Sequence, residues 1–592
     1  MKGEAWMELT QEQKDIIKTA MTGKNLLIDA CIGSGKTTIL QLLCNGFTGK
    51  RVLYLTYNKL LKLEAKKKIV GTGKMVTNYH GFAYMLLQRA GIKSGQSDLI
   101  RTLIKNKPKV LIPNYDVILI DEYQDIDQEI SEMLTMIKKK NPTAQLIAVG
   151  DMAQKIYDFT TLNVKPFMKK FLGDYELMSL TTCFRLSAAH AKTLSSVWNK
   201  QINGVNPEYI IKTISLQQAI KIAAATEPHD ILCLGARTGQ MVRFLNELEA
   251  NHPDIYNKRT VYASIRDSEG GASLSPADDV AIFTTFDASK GLEKEVCLLF
   301  DYTLDYYETR ASKNGVKYEI LRNIFCVAAS RAKKAVYFIK NAKDQQLTFK
   351  HLATPFETKQ GRETYNISEM FDFKYKESVD ACMKWLECNP IPVNDSSIIP
   401  IIDADYNIDL MPCVGIFQEI LYFKQFNYER AVNQYRNTSD SQWSIVDEIL
   451  KLPEPKDITG KTLYITAAMT LHMRYVNQVV EEFITDDGIK ALYNRLSEEL
   501  RQDEAVQIKC DINRANLKAK GLCDVLIGDV AYELKFVQEL TNEHYLQLAS
   551  YMYALEAERG ILWNTRTNEK IEVRIKNKEA FINSVEKAVN KW

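Results

Sequence analysis

The alternation of short apolar segments with longer amphipathic ones is the feature that most restricts the fold of residues 1–345. The apolar segments have the length of strands, and the segments between them are patterned like helices. Such alternation predicts an α/β architecture with mostly parallel sheets, because parallel strands are joined by crossover helices. Using all of these strands requires two sheets. The predicted strands are Asn25–Asp29, Val52–Thr56, Val117–Ile120, Leu146–Gly150, Asp230–Leu234, Val280–Thr284 and Ala335–Ile339.

The regular alternation of strand and helix segments does not continue beyond residue 345. At about 150 residues per domain, the 592 residues allow roughly four domains. Residues 346–405 are predicted to be a linker with a small helix near Tyr375–Glu387, because the stretch NPIPVNDSS is typical of a loop. The last segment, 406–592, is expected to be helix-rich up to a predicted hairpin at 521–537 and helical again after it.

Composition excludes several classes of protein. Hydrophobic residues make up 46% and charged residues 25% of the chain, as in ordinary globular proteins and unlike disordered ones. The net charge is only +2, so a nucleic acid would have to be held in local basic grooves. No apolar run approaches the roughly 18 residues of a membrane span. The acidic first eight residues lack the apolar core of a signal peptide.

Cysteine usage favours a reducing compartment. The 11 cysteines form no CxxC pair, which argues against a zinc site or a disulfide framework. A cytoplasmic location is therefore expected, with the nucleus as an alternative. An iron–sulfur cluster on the late cysteines is the less favoured interpretation, and buried free thiols are the favoured one. These late cysteines are Cys382, Cys388, Cys413, Cys510 and Cys523.

A strand, a glycine-rich loop and a helix follow one another in LLIDACIGSGKTT at residues 26–38. Glycines allow the backbone to wrap a triphosphate, and the N–H groups at the helix N-terminus favour negative charge. Lys36 can reach the β- and γ-phosphates, and Thr37 can bind Mg²⁺. The strict pattern has glycine where this chain has Ala30. The segment predicts a site for ATP and Mg²⁺.

A second strand ends in two carboxylates, Asp121 and Glu122, about 85 residues downstream of the loop. A carboxylate at the C-terminal end of a parallel strand lies where α/β sheets bind ligands. We expect Asp121 to hold Mg²⁺, and Glu122 to orient and deprotonate water.

Eight motifs in this order resemble those of superfamily 1 helicases of the UvrD/Rep type. Each motif is weak alone, and their order over residues 9–339 carries the resemblance. They are LTQEQ at 9–13, TYNK at 56–59, TNYHGFA at 77–83, DEYQD at 121–125, VGDMAQKIY at 149–157, CFR at 183–185, FDASKGLE at 286–293 and VAASRA at 327–332. The resemblance implies two RecA-like lobes, 1A over 1–165 and 2A over 166–345.

The resemblance also implies roles for individual residues. Gln13 would read adenine and Phe184 would stack on it, while Gln154 would sense the γ-phosphate. Arg185 and Arg331 would reach the γ-phosphate from the second sheet, across the cleft from Lys36, and couple hydrolysis to lobe closure. The expected nucleotide contacts are Gln13, Gly33, Ser34, Gly35, Lys36, Thr37, Thr38, Phe184, Arg185, Glu293 and Arg331.

A path for single-stranded nucleic acid is implied by the same motifs. Aromatic rings there can stack on bases without reading sequence, although core packing is an open alternative for each. The expected contacts are Tyr57, Tyr79, His80, Tyr157 and Phe159. The family often has arginine, histidine and tryptophan where this chain has Thr38, Asp287 and Phe159. The gaps between motifs are too short for the family's large inserted subdomains, which puts duplex unwinding in more doubt than translocation.

The predicted hairpin at 521–537 carries the second candidate site. Its turn is Gly528-Asp529, which places Asp524 opposite Glu533 across the ladder. Like charges at such close range are destabilising, and a bound divalent cation would relieve them. Lys535 projects from the same face as Glu533. Such a group predicts metal-dependent phosphodiester hydrolysis, with Lys535 steadying the attacking water.

The pattern D…ExK resembles the PD-(D/E)xK nuclease superfamily. Gln547 and Tyr551 lie four residues apart on the following helix and look like the QxxxY motif of its RecB-type branch. GIFQE at 415–419 resembles the GxxxE helix, which implies Glu419 as a further metal ligand. The resemblance covers roughly residues 410–575 and implies Mg²⁺, with Mn²⁺ as an alternative.

The sequence therefore predicts two RecA-like lobes followed by an α/β nuclease domain, acting as an ATP-dependent DNA translocase or helicase with a Mg²⁺-dependent nuclease. The expected substrate is single-stranded or forked DNA, in repair, recombination, replication or processing of foreign DNA, and resemblance favours 3′→5′ movement. One alternative keeps the motor and makes the C-terminal domain an inactive DNA clamp. Another is a non-catalytic interaction protein, which the intact ATP motifs disfavour.

Overall fold

The computed structural model describes residues 9–57, 68–69, 71–95, 98–264, 276–277, 279–341, 344–357, 364–402, 408–433, 445–478 and 483–592. Asn58 and Lys59 of the predicted TYNK motif lie outside these residues, as do the first eight residues. The chain forms two compact units. The first comprises Met1–Ile210, Arg322–Lys334 and Thr348–Pro355, and the second comprises Ile211–Leu321, Ala335–Leu347 and Phe356–Trp592.

The elements before Ile210 alternate as predicted. The helices are α1 (Gln11–Ala20), α2 (Lys36–Gly46), α3 (Tyr79–Arg89), α4 (Leu99–Lys105), α5 (Gln128–Lys140), α6 (Val164–Leu172) and α7 (Ala188–Trp198). The strands are β1 (Leu26–Ala30), β2 (Val52–Thr56), β3 (Lys74–Asn78), β4 (Val117–Ile120), β5 (Gln145–Gly150), β6 (Glu176–Leu180), β7 (Thr182–Cys183) and β8 (Asn203–Gly204).

The first unit is built around a six-stranded parallel sheet in the order β3-β2-β4-β5-β1-β6. Strands β2, β4 and β5 are buried along their whole length, as continuous apolar runs in a parallel sheet require. The carboxyl ends of β1, β4 and β5 therefore meet at one edge. Strand β6 pairs with β1 although it lies beyond the predicted boundary at residue 165, so this sheet extends further along the chain than expected.

The middle of the chain contains the second parallel sheet. Its strands are β9 (Ile210–Ile214), β10 (Ile231–Gly235), β11 (Val261–Ser264), β12 (Ala281–Thr285), β13 (Lys294–Leu299) and β14 (Ala332–Ile339). The helices are α8 (Leu216–Ala224), α9 (Gln240–Asn251), α10 (Leu304–Ala311), α11 (Tyr318–Ala328) and α12 (Phe349–Leu352). The strand order is β11-β12-β10-β13-β14-β9, and β10 pairs in parallel with both β12 and β13. Two parallel sheets are thus confirmed.

The C-terminal part is a mixed sheet with helices. Its helices are α13 (Lys376–Met383), α14 (Met411–Tyr422), α15 (Tyr428–Asn433), α16 (Ile445–Lys451), α17 (Ile458–Thr470), α18 (Arg474–Asn477), α19 (Asp486–Ser497), α20 (Asn542–Ala554) and α21 (Lys578–Asn590). Its strands are β15 (Thr364–Asn366), β16 (Leu386–Ile391), β17 (Val506–Asn513), β18 (Lys518–Ile527), β19 (Val530–Lys535), β20 (Arg559–Asn564) and β21 (Glu569–Ile575).

This seven-stranded sheet has the order β15-β18-β19-β20-β21-β16, with β17 also paired to β18. Strands β15 and β16 come from residues 346–405, so the prediction that this stretch is only a linker with a helix is wrong. Their partners β18 and β21 lie more than 100 residues downstream, and short strands with distant partners leave little local signal. The predicted helix in this stretch is present as α13.

The predicted hairpin is formed by β18 and β19. The expectation of helix alone after it is wrong, because β20 and β21 follow α20 and extend the sheet. Val525 pairs with Tyr532 and Ile527 with Val530, in the predicted register, and Gly528 has the positive φ of +59° that such a turn needs. The pairing ends one step before Asp524 and Glu533.

Two further findings bear on the composition argument. None of the 11 cysteines is in a disulfide, and all but Cys388 are buried, which agrees with the favoured interpretation of free thiols. Among the residues that the structure describes, no helix is long and apolar enough to cross a membrane.

Candidate functional sites

The phosphate loop connects β1 to α2 in the first unit. Gly33 and Gly35 have φ values of +64° and +79°, which favour glycine, and helix α2 begins at Lys36. A Cβ on Gly33 would lie 2.8 Å from the Cβ of Arg185, so a side chain there would collide with its neighbour. The loop thus has the backbone shape and the helix N-terminus that a triphosphate needs.

Gln13 is brought to this loop by α1. Its backbone N–H donates to the Thr10 hydroxyl at 3.2 Å, and its side-chain oxygen accepts the Thr10 N–H at 3.1 Å, in a capping box. Its Nε2 donates to the Ser34 carbonyl oxygen at 3.4 Å. This places the predicted adenine reader directly beside the predicted phosphate loop.

The acid pair lies at the carboxyl end of β4. Asp121 is fully buried, and its Oδ2 accepts a hydrogen bond from the Tyr54 hydroxyl at 3.1 Å. Burial, and then repulsion by Glu122, raises the pKa of Asp121. Glu122 Oε1 lies 3.7 Å from Lys36 Nζ, which joins the acid pair to the phosphate loop. Glu122 also has a left-handed φ of +52°, a strained conformation of the kind found at functional sites.

A hydrogen-bonded chain connects Glu122 to the next motif. The Gln124 amide donates to the Glu122 carboxylate, and Gln124 Oε1 accepts the Asp151 N–H at 2.9 Å. Gln154 Nε2 in turn donates to Asp151 Oδ2 at 2.7 Å. The predicted general base and the predicted γ-phosphate sensor are therefore held by one network.

The two predicted arginines are arranged differently from the expectation. Arg185 follows β7, which is not part of the second sheet, so its predicted origin is wrong. Arg331 directly precedes β14 of that sheet, yet its segment groups with the first unit. Arg185 Nη1 donates to the Ser330 carbonyl oxygen at 3.2 Å, and the Phe184 N–H donates to the Gly33 carbonyl oxygen at 3.0 Å. Arg185 thus lies beside the phosphate loop, and Arg331 directly follows the Ser330 that Arg185 contacts, within one unit.

The motif at 286–293 lies in the second unit, after β12. Glu293 is exposed there, and its predicted contact with nucleotide remains a prediction. Asp287 accepts two hydrogen bonds from Arg310, at 2.9 and 2.7 Å, and Arg310 lies over the Tyr306 ring. A histidine could not accept such a bidentate pair. The departure from the family at Asp287 is therefore matched by Arg310, a partner that motif comparison alone did not identify.

The predicted nucleic-acid contacts divide into two groups. Tyr157 and Phe159 are half-buried, and their rings stack with the centroids 5.2 Å apart. His80 is exposed. Tyr57 packs partly against the core of the first sheet. Tyr79 is only 1% exposed and belongs to that core, so base stacking by Tyr79 is not supported. Its burial follows from the cap of α3, where Asn78 Oδ1 accepts the Gly81 N–H at 2.9 Å and Tyr79 is the first helical residue.

The second site gathers residues from three elements of the second unit. Glu419 lies on α14, Asp524 on β18, and Glu533 and Lys535 on β19. Lys535 Nζ lies 2.7 Å from Glu533 Oε1, whereas Asp524 Oδ2 accepts the Leu534 N–H at 2.7 Å. That hydrogen bond joins Asp524 to β19 just beyond the last paired residues of the ladder, and the direct opposition of Asp524 and Glu533 stays a prediction. The four predicted residues nevertheless form one group.

The electrostatics of this group are dominated by burial and like charge. Burial raises the pKa of Glu419, Asp524 and Glu533, and Glu533 adds to the shift of the other two. Burial alone would lower the pKa of Lys535, but Glu533 and Asp524 outweigh it and raise that pKa. The ammonium of Lys535 thus lies among the carboxyl groups of Glu419, Asp524 and Glu533. Their negative charge exceeds its positive charge, so a further cation would be favoured here.

Gln547 and Tyr551 are supporting residues of this site rather than surface contacts. Gln547 Nε2 donates to Glu533 Oε1 at 2.7 Å and also lies 3.2 Å from the Tyr551 hydroxyl. Tyr551 is 2% exposed, so direct contact with nucleic acid is not supported. Their spacing on α20 aims both side chains at Glu533 and fixes its orientation.

Some residues of the two sites were missed because they belong to no motif. Thr565 donates to Gln418 Oε1 at 2.5 Å, and its N–H donates to the Lys535 carbonyl oxygen at 2.8 Å, which ties α14 to the end of β19. Lys200 is the corresponding omission in the first unit, where it contacts Asp29 and Asp151. A lone polar residue just after a strand or a helix gives no sequence signal of such a role.

The donor set of the second site fits a divalent cation. Carboxylate oxygens are the ligands that Mg²⁺ prefers, and Glu533 Oε2 is buried with no hydrogen-bond partner in the part of the chain that the structure describes. Among the described residues, no group of three or more His, Cys, Asp or Glu side chains is already arranged to hold a metal ion. Here Lys535, Gln547 and the Leu534 N–H hold the carboxylates instead, so a cation would have to rearrange them.

Comparison with known proteins agrees with this division. Residues 13–160 match the family model described as an AAA domain, and residues 459–576 match that of the PD-(D/E)XK nuclease superfamily. Together with the curated relatives named next, these matches confirm the predicted resemblance to a helicase joined to a RecB-like PD-(D/E)xK nuclease.

Two curated relatives are similar to parts of this chain. RecBCD enzyme subunit RecB of Buchnera aphidicola (subsp. Acyrthosiphon pisum) is 27% identical over 176 residues, which cover 28% of this chain and 15% of that protein. An ATP-dependent helicase/nuclease subunit of Lactobacillus johnsonii is 34% identical over 90 residues, 14% of this chain and 7% of that protein. The chain thus matches only a small part of the length of these relatives.

Among solved structures, the DUF1998 helicase MrfA bound to DNA matches 56% of this chain and 49% of its own, at 13% identity and a TM-score of 0.35. A similarity of that size is too low to support an argument about fold or function.

Proposed function

We propose that this chain is an ATP-driven DNA motor that carries a metal-dependent nuclease. The observation that carries the proposal is the group formed by buried Glu533 with half-buried Glu419, Asp524 and Lys535, which occurs in one chain with an intact phosphate loop. Single-stranded or forked DNA is the proposed substrate. The matches to RecB and to the helicase/nuclease of Lactobacillus johnsonii support the combination of a motor with a nuclease.

In the first unit, the loop and Lys36 would hold the triphosphate, and Thr37 and Asp121 would hold Mg²⁺. The cation would neutralise charge that develops on the phosphates. Glu122 would orient the attacking water and accept its proton, while Gln154 would detect the γ-phosphate. Arg185 and Arg331 would stabilise the negative charge of the transition state.

In the second unit, Glu419, Asp524 and Glu533 would hold a divalent cation, which lowers the pKa of bound water and stabilises phosphate charge. Lys535 would orient the water by hydrogen bonding. Gln547 would keep Glu533 in place. The presence of Asp524, Glu533 and Lys535 together favours an active nuclease over an inactive DNA clamp.

The test uses the purified chain with Mg²⁺, ATP and end-labelled single-stranded and forked DNA. We expect Lys36→Ala to lower DNA-stimulated ATP hydrolysis at least about 100-fold and Lys535→Ala to lower cutting by a similar factor. Lys18→Ala and Lys587→Ala change exposed lysines of the same two regions and serve as controls.

The outcomes separate the alternatives. Cutting by wild type and not by Lys535→Ala supports the nuclease, and the Lys36→Ala result then tells whether cutting needs the motor. ATP hydrolysis without cutting in any lane would leave a translocase with a DNA-binding C-terminal domain. Absence of both activities would favour an interaction protein.

A further inference from the structure

Lys200 occupies a half-buried position, with its side chain 16% exposed, beside the strand end that leads into the phosphate loop. It follows the C-terminal cap of α7, where Asn199 has a left-handed φ of +49°. Its Nζ lies 2.7 Å from Asp29 Oδ1, 2.8 Å from Asp151 Oδ1 and 3.2 Å from the Ala30 carbonyl oxygen. An ammonium group has three N–H donors, so all three have an acceptor here.

The partners of Lys200 lie at two places in the nucleotide site. Asp29 and Ala30 are the last residues of β1, immediately before the phosphate loop. Asp151 follows β5 and starts the short helical turn Met152–Gln154, where its Oδ1 also accepts the Ala153 N–H at 3.0 Å. Lys200 therefore links the ends of two neighbouring strands whose loops carry different parts of the chemistry.

Asp151 connects Lys200 by hydrogen bonds to the residues expected to act at the γ-phosphate. Its Oδ2 accepts from Gln154, and its N–H donates to Gln124, which holds Glu122. Loss of the ammonium would leave the carboxylates of Asp29 and Asp151 close together without their cation. Repulsion would then move Asp151, and Gln154 and Gln124 would move with it.

The end of α7 also fixes the residues that follow Asp151, at 152–155. The Trp198 indole N–H donates to Asn323 Oδ1 at 3.0 Å, and Asn323 Nδ2 donates to the carbonyl oxygens of Lys155 at 2.9 Å and Met152 at 3.3 Å. Residues 152–155 are thus fixed from both sides by groups that α7 supplies or orients. This double attachment separates Lys200 from an ordinary surface ion pair.

We propose that Lys200 is a positioning residue for ATP hydrolysis, which sets Asp151 and through it Gln154 and Glu122 for attack on the γ-phosphate. The inference rests on the proposed ATPase function. Lys200 acts on the turnover step rather than on nucleotide affinity, because it contacts no atom that the phosphate loop offers to the triphosphate except through the strand end at Ala30.

The test compares steady-state ATP hydrolysis with single-stranded DNA for wild type, Lys200→Met and Lys200→Arg. Methionine keeps the length of the side chain and removes the donors. We expect Lys200→Met to lower kcat about 100-fold and to change KM for ATP less than about 5-fold. Lys200→Arg should keep kcat within about 10-fold, since arginine retains charge and donors. Lys192→Met, an exposed lysine of α7, is the matched control.

A double-mutant cycle with Asp151→Asn distinguishes positioning from general loss of stability. If Lys200 acts through Asp151, the double variant should have about the same kcat as Lys200→Met alone. Multiplied effects of the two substitutions, or an unchanged kcat in Lys200→Met, would overturn the inference. An inactive wild type would contradict the proposed function itself, and thermal unfolding of each variant shows whether it is folded.

Discussion

The nucleotide site and the nuclease site both collect buried carboxylates, but they compensate the charge differently. In the first unit, Asp29 and Asp151 share Lys200, and Glu122 is held by Lys36 and Gln124. In the second unit, Glu419, Asp524 and Glu533 lie around Lys535, and burial with mutual repulsion raises the pKa values of Glu419 and Asp524. The carboxylates of the proposed nucleotide site are thus paired with lysines of the chain, whereas those of the proposed nuclease site repel one another in the absence of a cation.

The largest expected effect comes from neutralising one carboxylate on each side of this comparison. We expect Glu419→Gln to lower cutting at least about 100-fold and to raise the unfolding temperature of the metal-free protein by about 2 °C, because a repelling charge is removed. Asp151→Asn should lower ATP hydrolysis by a similar factor and lower the unfolding temperature, because Lys200 loses a partner. Assays of DNA cleavage and of ATP hydrolysis measure the two activities. Calorimetry without metal measures the two unfolding temperatures. Stability changes of the same sign would refute the comparison.

The next effect tests how rigid each site is. A Cβ on Gly150 would lie 2.4 Å from Gln124 Oε1, so Gly150→Ala should displace Gln124 and lower kcat for ATP about 30-fold. A Cβ on Gly415 of α14 would meet none of the described residues within 4 Å, so Gly415→Ala should leave cutting within about 2-fold. Kinetics of the two variants under identical conditions provide the check. A large loss of cutting in Gly415→Ala would mean that substrate approaches this glycine.

A smaller effect separates contact with DNA from support of the site. Stacking on a base is worth about 1–3 kcal/mol, so Tyr157→Ala should weaken binding to single-stranded DNA about 10-fold. Tyr551→Phe should leave that affinity unchanged and lower cutting a few-fold, because only the hydrogen bond with Gln547 is lost. Fluorescence anisotropy with labelled DNA measures the affinities. Weaker binding by Tyr551→Phe would restore the original prediction that Tyr551 contacts DNA.

The smallest effect concerns acid stability of the first unit. Burial lowers the pKa of His190 from 6.5 to about 4. Between these values the unfolded chain binds a proton that the folded chain does not, so stability falls as the pH decreases from 6.5 to 4. His190→Phe should reduce the loss of unfolding temperature between pH 7 and pH 5, by about 1 °C. His229→Phe, at an exposed histidine, should not.

Local patterns predicted much of both sites. The hairpin register from Val525 to Tyr532 follows from the two-residue turn, and the phosphate loop follows from its glycines. Lys200 and Thr565 could not be predicted, because their roles depend on partners more than 20 residues away in the chain. The burial of Tyr79 and Tyr551 depends on packing, which no short motif records.

The two strands β15 and β16 have a practical consequence for separating the activities. A fragment that starts at residue 406 would lack both strands and would leave edges of β18 and β21 unpaired. It would also expose core positions that Ile367, Phe371 and Leu386 fill in the intact chain. Unpaired edges and exposed core promote aggregation. Dissection of this chain should therefore use point substitutions, or a cut placed before Thr364, so that the isolated nuclease keeps its own sheet.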